Sequence, residues 1–233
     1  MATFVLIHGA GDVGWYWHLV EAELRARGHR TVAPDLPCDD DTAGLPEYAD
    51  AVVTAMNGRA GRDGQTSRDG QTSRDGQYGL VVAGQSLGGF VAPLVCDRVP
   101  ADMLVLVAPM IPAPGEAPAD YWANTGYDHS GDYDDLFYQD VPPALAAEAR
   151  QRGRAQSEVR LGEPSPLRAW PDVPTRVLLC RDDRLLPPAF VRRVARERLG
   201  IVPDEIAGGH TPALSRPREL AERLEAYTDE VQG

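Results

Sequence analysis

The stretch VVAGQSLGGF, residues 81–90, leads a run of apolar residues into a serine that lies between glycines. Within it, Gly84-Gln85-Ser86-Leu87-Gly88 fits the pattern Gly-x-Ser-x-Gly. So short a pattern gains weight only from its context: residues 80–83 predict a strand and residues 87–98 predict a helix. A sharp strand-to-helix turn of this kind, a nucleophile elbow, exposes a serine hydroxyl above the sheet. The alternative is a serine that merely caps the helix.

The two glycines of this pattern have a physical reason. They leave room for the strand and the helix to approach each other closely, while the turn forces Ser86 into a strained backbone conformation. The N-terminus of the helix then lies beneath the hydroxyl and favours developing negative charge. The stretch therefore predicts a nucleophilic serine.

Short apolar runs alternate with amphipathic windows along most of the chain. Runs that are apolar throughout suit strands covered on both faces, as in a parallel sheet. The predicted strands are residues 3–7, 30–33, 80–83, 103–107 and 176–179, with a weaker one at 201–206. The predicted helices are residues 15–27, 46–56, 87–98, 188–199 and 218–230. This pattern predicts an α/β fold with a doubly wound, mostly parallel sheet.

A repeated hexapeptide interrupts the alternation. The sequence RDGQTS occupies residues 62–67 and again 68–73, with no apolar residue that could stack one copy on the next. It predicts a flexible loop over residues 59–77, and the alternative is an ordered recognition element.

A second interruption covers residues 110–170, which hold no convincing strand. Residues 111–170 carry seven of the sixteen aromatic residues of the chain. A segment of this kind between two sheet strands is expected to lie over the sheet. We therefore predict a core made of residues 1–109 and 171–233, with residues 110–170 as a separate unit.

The composition excludes several classes of function. The formal net charge of −12 repels phosphate backbones and anionic membranes, so neither nucleic acid nor a membrane is a predicted partner. All 23 basic residues are arginines, which excludes a Schiff-base lysine.

Cys38, Cys96 and Cys180 are widely spaced and odd in number, so they predict buried thiols rather than disulfides or a zinc site. The chain shows no pattern of a membrane span or signal peptide, which predicts a cytoplasmic location. Assembly as a homodimer is left open.

A serine hydroxyl is inert until a base takes its proton, and the chain has five histidines. His210 is the predicted base, because it follows the last predicted strand on a Gly-Gly loop that can reach the carboxyl edge of the sheet. For a histidine taken alone, a structural role is the alternative. His8 directly follows the first strand, where we expect a main-chain role. His18 and His29 are expected to be solvated, and His129 lies within residues 110–170.

The base needs a carboxylate that orients it, and the chain order Ser, acid, His places this acid between residues 87 and 209. The sequence VLLCRDDRLLP at 177–187 offers Asp182 and Asp183 after a predicted strand. Asp183, which lies four residues before Pro187, is the preferred acid. Asp182 is the second choice, and a solvated acidic turn is the alternative to both.

Backbone amides are the predicted source of charge stabilisation. The Leu87 amide directly follows the nucleophile, and the Ala10 amide lies in the glycine-rich loop after the first strand. The two amides together predict an oxyanion hole.

These residues make the chain resemble the α/β-hydrolase family, in particular its small plant methylesterases and hydroxynitrile lyases. The matching pieces cover nearly the whole chain: FVLIHGA at 4–10, GWYW at 14–17, GH at 28–29, APDL at 33–36, GQSLGG at 84–89, DDRLLPP at 182–188 and GH at 209–210. The RDGQTS repeat departs from the family pattern.

The resemblance implies a helical cap over residues 110–170 that roofs the substrate pocket, with Gly9, Trp122 and Phe137 as candidate pocket residues. It implies a serine hydrolase that cleaves small to medium carboxylic esters through an acyl-enzyme intermediate, without a metal or organic cofactor. Two alternatives stay open: a hydroxynitrile-lyase-like C–C lyase and a receptor for a small hydrophobic ligand with little turnover. In the lyases of the family, the position of Gly9 carries a hydroxyl residue and that of Thr211 a lysine, so this chain favours hydrolysis.

Overall fold

The computed structural model describes residues 1–60, 79–127 and 133–232. Within these residues, six strands form one sheet, and every pairing is parallel. The strands are β1 (Ala2–Ile7), β2 (Arg30–Val32), β3 (Gly79–Ser86), β4 (Met103–Pro109), β5 (Thr175–Cys180) and β6 (Asp204–Ile206). Their order across the sheet is β2-β1-β3-β4-β5-β6. The predicted α/β fold with a parallel sheet is confirmed.

Helices cover both faces of this sheet. The helices outside the connection from β4 to β5 are α1 (His18–Ala26), α2 (Leu45–Ala60), α3 (Gly88–Cys96), α7 (Pro188–Leu199), α8 (Pro212–Ser215) and α9 (Pro217–Gln232). Side chains of α2, α3 and α7 share one core cluster with Leu104 and Leu106 of β4. Side chains of α1, α8 and α9 share the other cluster with Val105 and Val107. In β1, β3, β4 and β5 the apolar runs are uninterrupted because alternate residues of each strand enter opposite clusters.

The connection from β4 to β5 contains three more helices and a short 3-10 helix, Pro118–Asp120. The helices are α4 (Tyr121–Thr125), α5 (Tyr133–Tyr138) and α6 (Pro143–Arg152). We call residues 110–170 the insertion. Its Glu116 forms a buried ion pair with Arg198 of α7, which joins the insertion to the helix layer. The division into core and cap stays a prediction.

Several boundaries differ from those predicted; β3, for example, continues to Ser86, and α3 ends at Cys96. The window at 15–27 divides into a 3-10 helix, Gly14–Trp17, followed by α1. Helix α2 continues to Ala60, so the first two residues of the predicted loop 59–77 are helical. The remainder of that loop, with the RDGQTS repeats, lies outside the described residues.

The three cysteines are free and buried, as predicted. No helix in the described part of the chain is both long and apolar enough to cross a membrane.

Candidate active site

Ser86 ends β3 with a backbone φ of 51°, in the left-handed region that disfavours side chains. Helix α3 begins two residues later, at Gly88. A Cβ atom at Gly84 would lie 2.4 Å from the carbonyl oxygen of Gly88, and one at Gly88 would lie 2.9 Å from that of His8. The strand and the helix can meet at this turn because both positions are glycine.

The end of β4 fits against the elbow. The Met110 amide donates a 3.1 Å hydrogen bond to the carbonyl oxygen of Ser86. A Cβ atom at Gly89 would lie 2.0 Å from the carbonyl oxygen of Met110. The last glycine of GQSLGG therefore makes room for the neighbouring strand.

The buried His210 ring bridges the serine and a carboxylate. Its Nε2 lies 3.0 Å from Oγ of Ser86, and its Nδ1 lies 2.8 Å from Oδ2 of Asp183. Asp183 is also buried, and its Oδ1 accepts 2.9 Å hydrogen bonds from the amides of Leu185 and Leu186. With Oδ1 engaged by the backbone, Oδ2 is left to accept from the imidazole.

Asp182, the second choice for the acid, is exposed and contacts Gly208. Its Oδ2 accepts a 3.1 Å hydrogen bond from the Gly208 amide, and its own amide donates to the Gly208 carbonyl oxygen at 3.0 Å. Asp182 thus joins the acid loop to the histidine loop, whereas Asp183 contacts His210.

His29 is buried, so the expectation of a solvated side chain is wrong. Its Nδ1 accepts a 3.0 Å hydrogen bond from the Ala2 amide, and its Nε2 lies 3.0 Å from Oε1 of Glu225 in α9. Packing between β1 and α9 encloses this ring, and the pattern around residue 29 does not signal either contact.

His8 has the main-chain role expected of it. Its Nδ1 donates to the Gly9 carbonyl oxygen at 2.8 Å, and its Nε2 accepts from the Leu36 amide at 3.0 Å. Burial lowers the pKa of His8 to about 4. The ring is therefore neutral near pH 7 and holds the backbone of the loop after β1.

Gln85 contributes to the site, although the sequence reasoning did not select it. Its buried side chain donates from Nε2 to the His210 carbonyl oxygen at 3.0 Å. A Cβ atom at Gly9 would lie 2.6 Å from Oε1 of Gln85 and 3.0 Å from Cβ of Ser86. A polar residue at the first variable position of Gly-x-Ser-x-Gly, between buried strand residues, is the signal that could have found it.

A cavity of about 730 Å³ opens at Ser86. Most of its wall is apolar, and its lining includes Ala10, Leu87, Met110, Trp122, Phe137, Glu158 and Leu185. Two of the three candidate pocket residues, Trp122 and Phe137, thus lie on the wall. Gly9 does not line the cavity but packs against Gln85 and Ser86.

The loop after β1 carries a half-buried carboxyl group, that of Asp12, next to the cavity-lining Gly11. Burial, opposed by a hydrogen bond from the Val13 amide and assisted by the nearby charge of Asp35, raises the pKa of Asp12 to about 7. Asp35 is itself paired with Arg154 of the insertion at 2.9 Å. Asp12 is thus a half-buried acid near the ion pair of Asp35 and Arg154.

A serine on a strand-to-helix elbow, a buried histidine and a buried acid above a parallel sheet are the arrangement of an α/β hydrolase. The family model described as "Alpha/beta hydrolase family" matches residues 4–223. The chain belongs to this family.

Several named proteins are similar to this chain, some over about half of its length and others over nearly all of it. It is 32% identical over 126 residues to "Probable esterase PIR7A" of Oryza sativa subsp. indica, covering 48% of this chain but 41% of the rice protein. It is 26% identical over 264 residues to "Pyrethroid hydrolase" of Sphingobium wenxiniae, covering 98% of this chain and 88% of that protein. The crystal structure of polyneuridine aldehyde esterase has a TM-score of 0.76 at 19% identity and covers 98% of this chain and 99% of its own. The last comparison establishes a shared fold.

Proposed function

We propose that this protein is a serine hydrolase that cleaves small to medium carboxylic esters through an acyl-enzyme intermediate. The observation that carries the proposal is the continuous contact from Ser86 Oγ through the His210 ring to Asp183, at 3.0 and 2.8 Å. Both distances lie within hydrogen-bond reach, as a nucleophile, its base and an orienting acid require.

In the first half of the reaction, His210 Nε2 takes the hydroxyl proton while Ser86 Oγ attacks the ester carbonyl carbon. The carbonyl oxygen becomes negative and accepts hydrogen bonds from the amides of Ala10 and Leu87. Asp183 holds the imidazole in the tautomer that leaves Nε2 free to accept the proton. The same proton then passes from Nε2 to the departing alcohol, which leaves an acyl group on Ser86.

In the second half, a water molecule replaces the alcohol. His210 removes its proton as it attacks the acyl carbon, and the tetrahedral intermediate again places its negative oxygen on the two amides. Collapse returns the proton from His210 to Ser86 Oγ and releases the carboxylic acid. No metal or organic cofactor takes part in these steps.

The shape and lining of the cavity support the class of substrate. Its volume of about 730 Å³ suits a ligand of drug-like size, and Trp122, Phe137 and Leu185 provide an apolar wall. Names that include esterase and pyrethroid hydrolase among the relatives agree with an apolar ester. Trp122 and Phe137 are the side chains proposed to contact it.

Lyase chemistry on cyanohydrins has less support. Thr211 carries no charge, and its hydroxyl donates to the Phe137 carbonyl oxygen at 2.6 Å. Gly9 has no side chain and packs behind the nucleophile. A departing cyanide would therefore lack the cationic partner that the family's lyases provide.

A panel of p-nitrophenyl esters tests the proposal. Turnover is expected in the wild type and is expected to fall about 10⁶-fold in Ser86→Ala, because the nucleophile is lost. Ser157→Ala is the matched control, since that exposed hydroxyl contacts Asp41 and does not line the cavity. A fluorophosphonate is expected to label Ser86. Cyanide release from mandelonitrile that depends on Ser86 would favour the lyase, and tight ligand binding without turnover would favour the receptor.

A cytoplasmic location remains part of the proposal as a prediction, and assembly as a homodimer stays open.

A further inference from the structure

Residues 137–140, which we call the clasp, run from the end of α5 into the following turn. Three hydrogen bonds join the clasp to the residues next to His210 and Asp183. They are Gln139 Nε2 to the Asp182 carbonyl oxygen (2.6 Å), the Gly209 amide to Asp140 Oδ2 (3.0 Å) and Thr211 Oγ1 to the Phe137 carbonyl oxygen (2.6 Å). The clasp thus contacts the residue before Asp183 and the residues on both sides of His210.

The histidine loop is built to receive the clasp. Gly208 has a φ of 102°, which favours glycine, and a Cβ atom there would lie 2.9 Å from Oδ2 of Asp140. A Cβ atom at Gly209 would lie 2.8 Å from Oδ1 of Asp140 and 2.9 Å from Cγ of Gln139. The two glycines before His210 therefore allow the clasp to lie directly against the loop backbone.

The contact between the clasp and the histidine loop also buries polar atoms. Oε1 of Gln139, Oδ1 of Asp140 and Oγ of Ser215 are buried and have no hydrogen-bond partner among the described residues. A carboxylate that accepts from a backbone amide makes a strong, charge-assisted bond, whereas a buried acceptor without a partner is destabilising.

The clasp also reaches the substrate cavity. Phe137 lines the cavity, and its ring lies edge-on against the His210 ring, with centroids 5.0 Å apart at 80°. Its backbone carbonyl oxygen accepts the Thr211 bond. One short segment therefore contacts the cavity, the base and the loop of the acid.

We propose that residues 137–140 are a positioning element that holds His210 and Asp183 in register with Ser86. This inference rests on the proposed ester hydrolysis. The positioning role belongs to the Phe137 backbone carbonyl and to the side chains of Gln139 and Asp140, which act through the loops that carry the base and the acid. A displacement of about 1 Å in such a group can lower turnover about 10²-fold.

Thr211 offers the sharpest test because one substitution removes the hydroxyl that bonds to the clasp and another retains it. Thr211→Val keeps the shape and removes the hydroxyl, and kcat is expected to fall about 10- to 100-fold with KM changed less than about 3-fold. Thr211→Ser keeps the hydroxyl and is expected to retain near wild-type kcat. Asp140→Ala removes the acceptor of the Gly209 amide and provides an independent variant with the same expected split between kcat and KM.

Ser157→Ala is the control, because it removes a 2.7 Å hydrogen bond between the insertion and Asp41 without touching either loop. Its kcat is expected to equal that of the wild type. Tm is measured for every variant. Wild-type kcat in both Thr211→Val and Asp140→Ala, or equal losses in Thr211→Val and Thr211→Ser, overturns the positioning role. Absence of ester turnover and of Ser86 labelling in the wild type would instead contradict the proposed function.

Discussion

Nδ1 of His210 lies 2.8 Å from Oδ2 of Asp183, whereas the adjacent carboxylate of Asp182 bonds to the Gly208 amide. The two neighbouring aspartates are therefore expected to differ in importance. Asp183→Asn is expected to lower kcat on the order of 10⁴-fold, because an amide favours the wrong imidazole tautomer. Asp182→Asn keeps an acceptor for the Gly208 amide and is expected to lower kcat less than about 10-fold. Steady-state kinetics on one p-nitrophenyl ester compares them, and equal losses would contradict the assignment.

Two helical glycines are expected to respond in opposite ways to an added methyl group. Gly89→Ala places a Cβ atom 2.0 Å from the Met110 carbonyl oxygen and is expected to destabilise the fold by about 3 kcal/mol or more. A Cβ atom added at Gly58 in α2 would meet no group of the described residues within 4 Å, so Gly58→Ala is expected to stabilise the fold by up to about 1 kcal/mol. Urea unfolding measures both. A neutral Gly89→Ala would show that β4 can move away from the elbow.

The ion pair of Glu116 and Arg198 is expected to be important for stability. Both side chains are largely buried, and the Glu116 carboxylate also accepts from the Ala113 amide and the Asn124 side chain. Arg198→Met would leave this carboxylate buried without its cation and is expected to cost about 3–5 kcal/mol of unfolding free energy.

The control for that change is Arg218→Met, which breaks the exposed pair with Glu222. It is expected to change the unfolding free energy by less than about 1 kcal/mol. Similar effects of the two substitutions in urea titrations would argue against a special role for the buried pair.

Asp12 predicts a loss of stability toward alkaline pH. Its folded-state pKa of about 7 lies above the ordinary value of 3.8, so the folded protein favours the protonated form. The destabilisation is absent below pH 4, grows between pH 4 and 7 and is complete above pH 7. Asp12→Asn is therefore expected to stabilise the fold at pH 8, by on the order of 1–4 kcal/mol, and to have little effect at pH 4.

Asp40→Asn is the matched control for Asp12. Hydrogen bonds from the Thr42 hydroxyl and amide lower the pKa of the exposed Asp40 carboxyl. Its contribution therefore has the opposite sign: it is present above the ordinary value and lost as the pH falls. Thermal unfolding between pH 4 and 9 distinguishes the two, and an unchanged pH profile in Asp12→Asn would refute the prediction.

Glu158 is expected to set the charge preference of the cavity, because it is the one charged side chain among the described residues that line it. A choline ester and the matching 3,3-dimethylbutyl ester have the same shape but differ by a positive charge. Glu158→Gln is expected to lower the ratio of their kcat/KM values about 2- to 5-fold, and added salt is expected to weaken the wild-type preference.

The control for this prediction is Glu163→Gln. Glu163 pairs with Arg160 at 2.7 Å and does not line the cavity, so the ratio is expected to stay at the wild-type value. An equal ratio of kcat/KM values in Glu158→Gln and in the wild type would contradict the predicted role of Glu158 in charge preference.

The sequence by itself determined the parts whose constraints are local. The central strands were predictable because they are apolar runs enclosed on both faces, as in residues 103–107. The turn at Ser86 was predictable because its glycines are required by steric contacts within a few residues, such as Gly84 against Gly88. His210 and Asp183 could be selected because each follows a strand at the carboxyl edge of the sheet.

Only the tertiary structure decided the contacts between residues that are distant in the chain. The burial of His29 depends on Glu225, and the position of the clasp depends on the backbones of Asp182 and Gly209. Gln85 beneath the His210 loop, with Gly9 packed against it, belongs to the same class. A hydrogen bond across such a separation leaves no periodic pattern in the sequence, because it depends on how the elements pack and not on the propensity of the residues that form it.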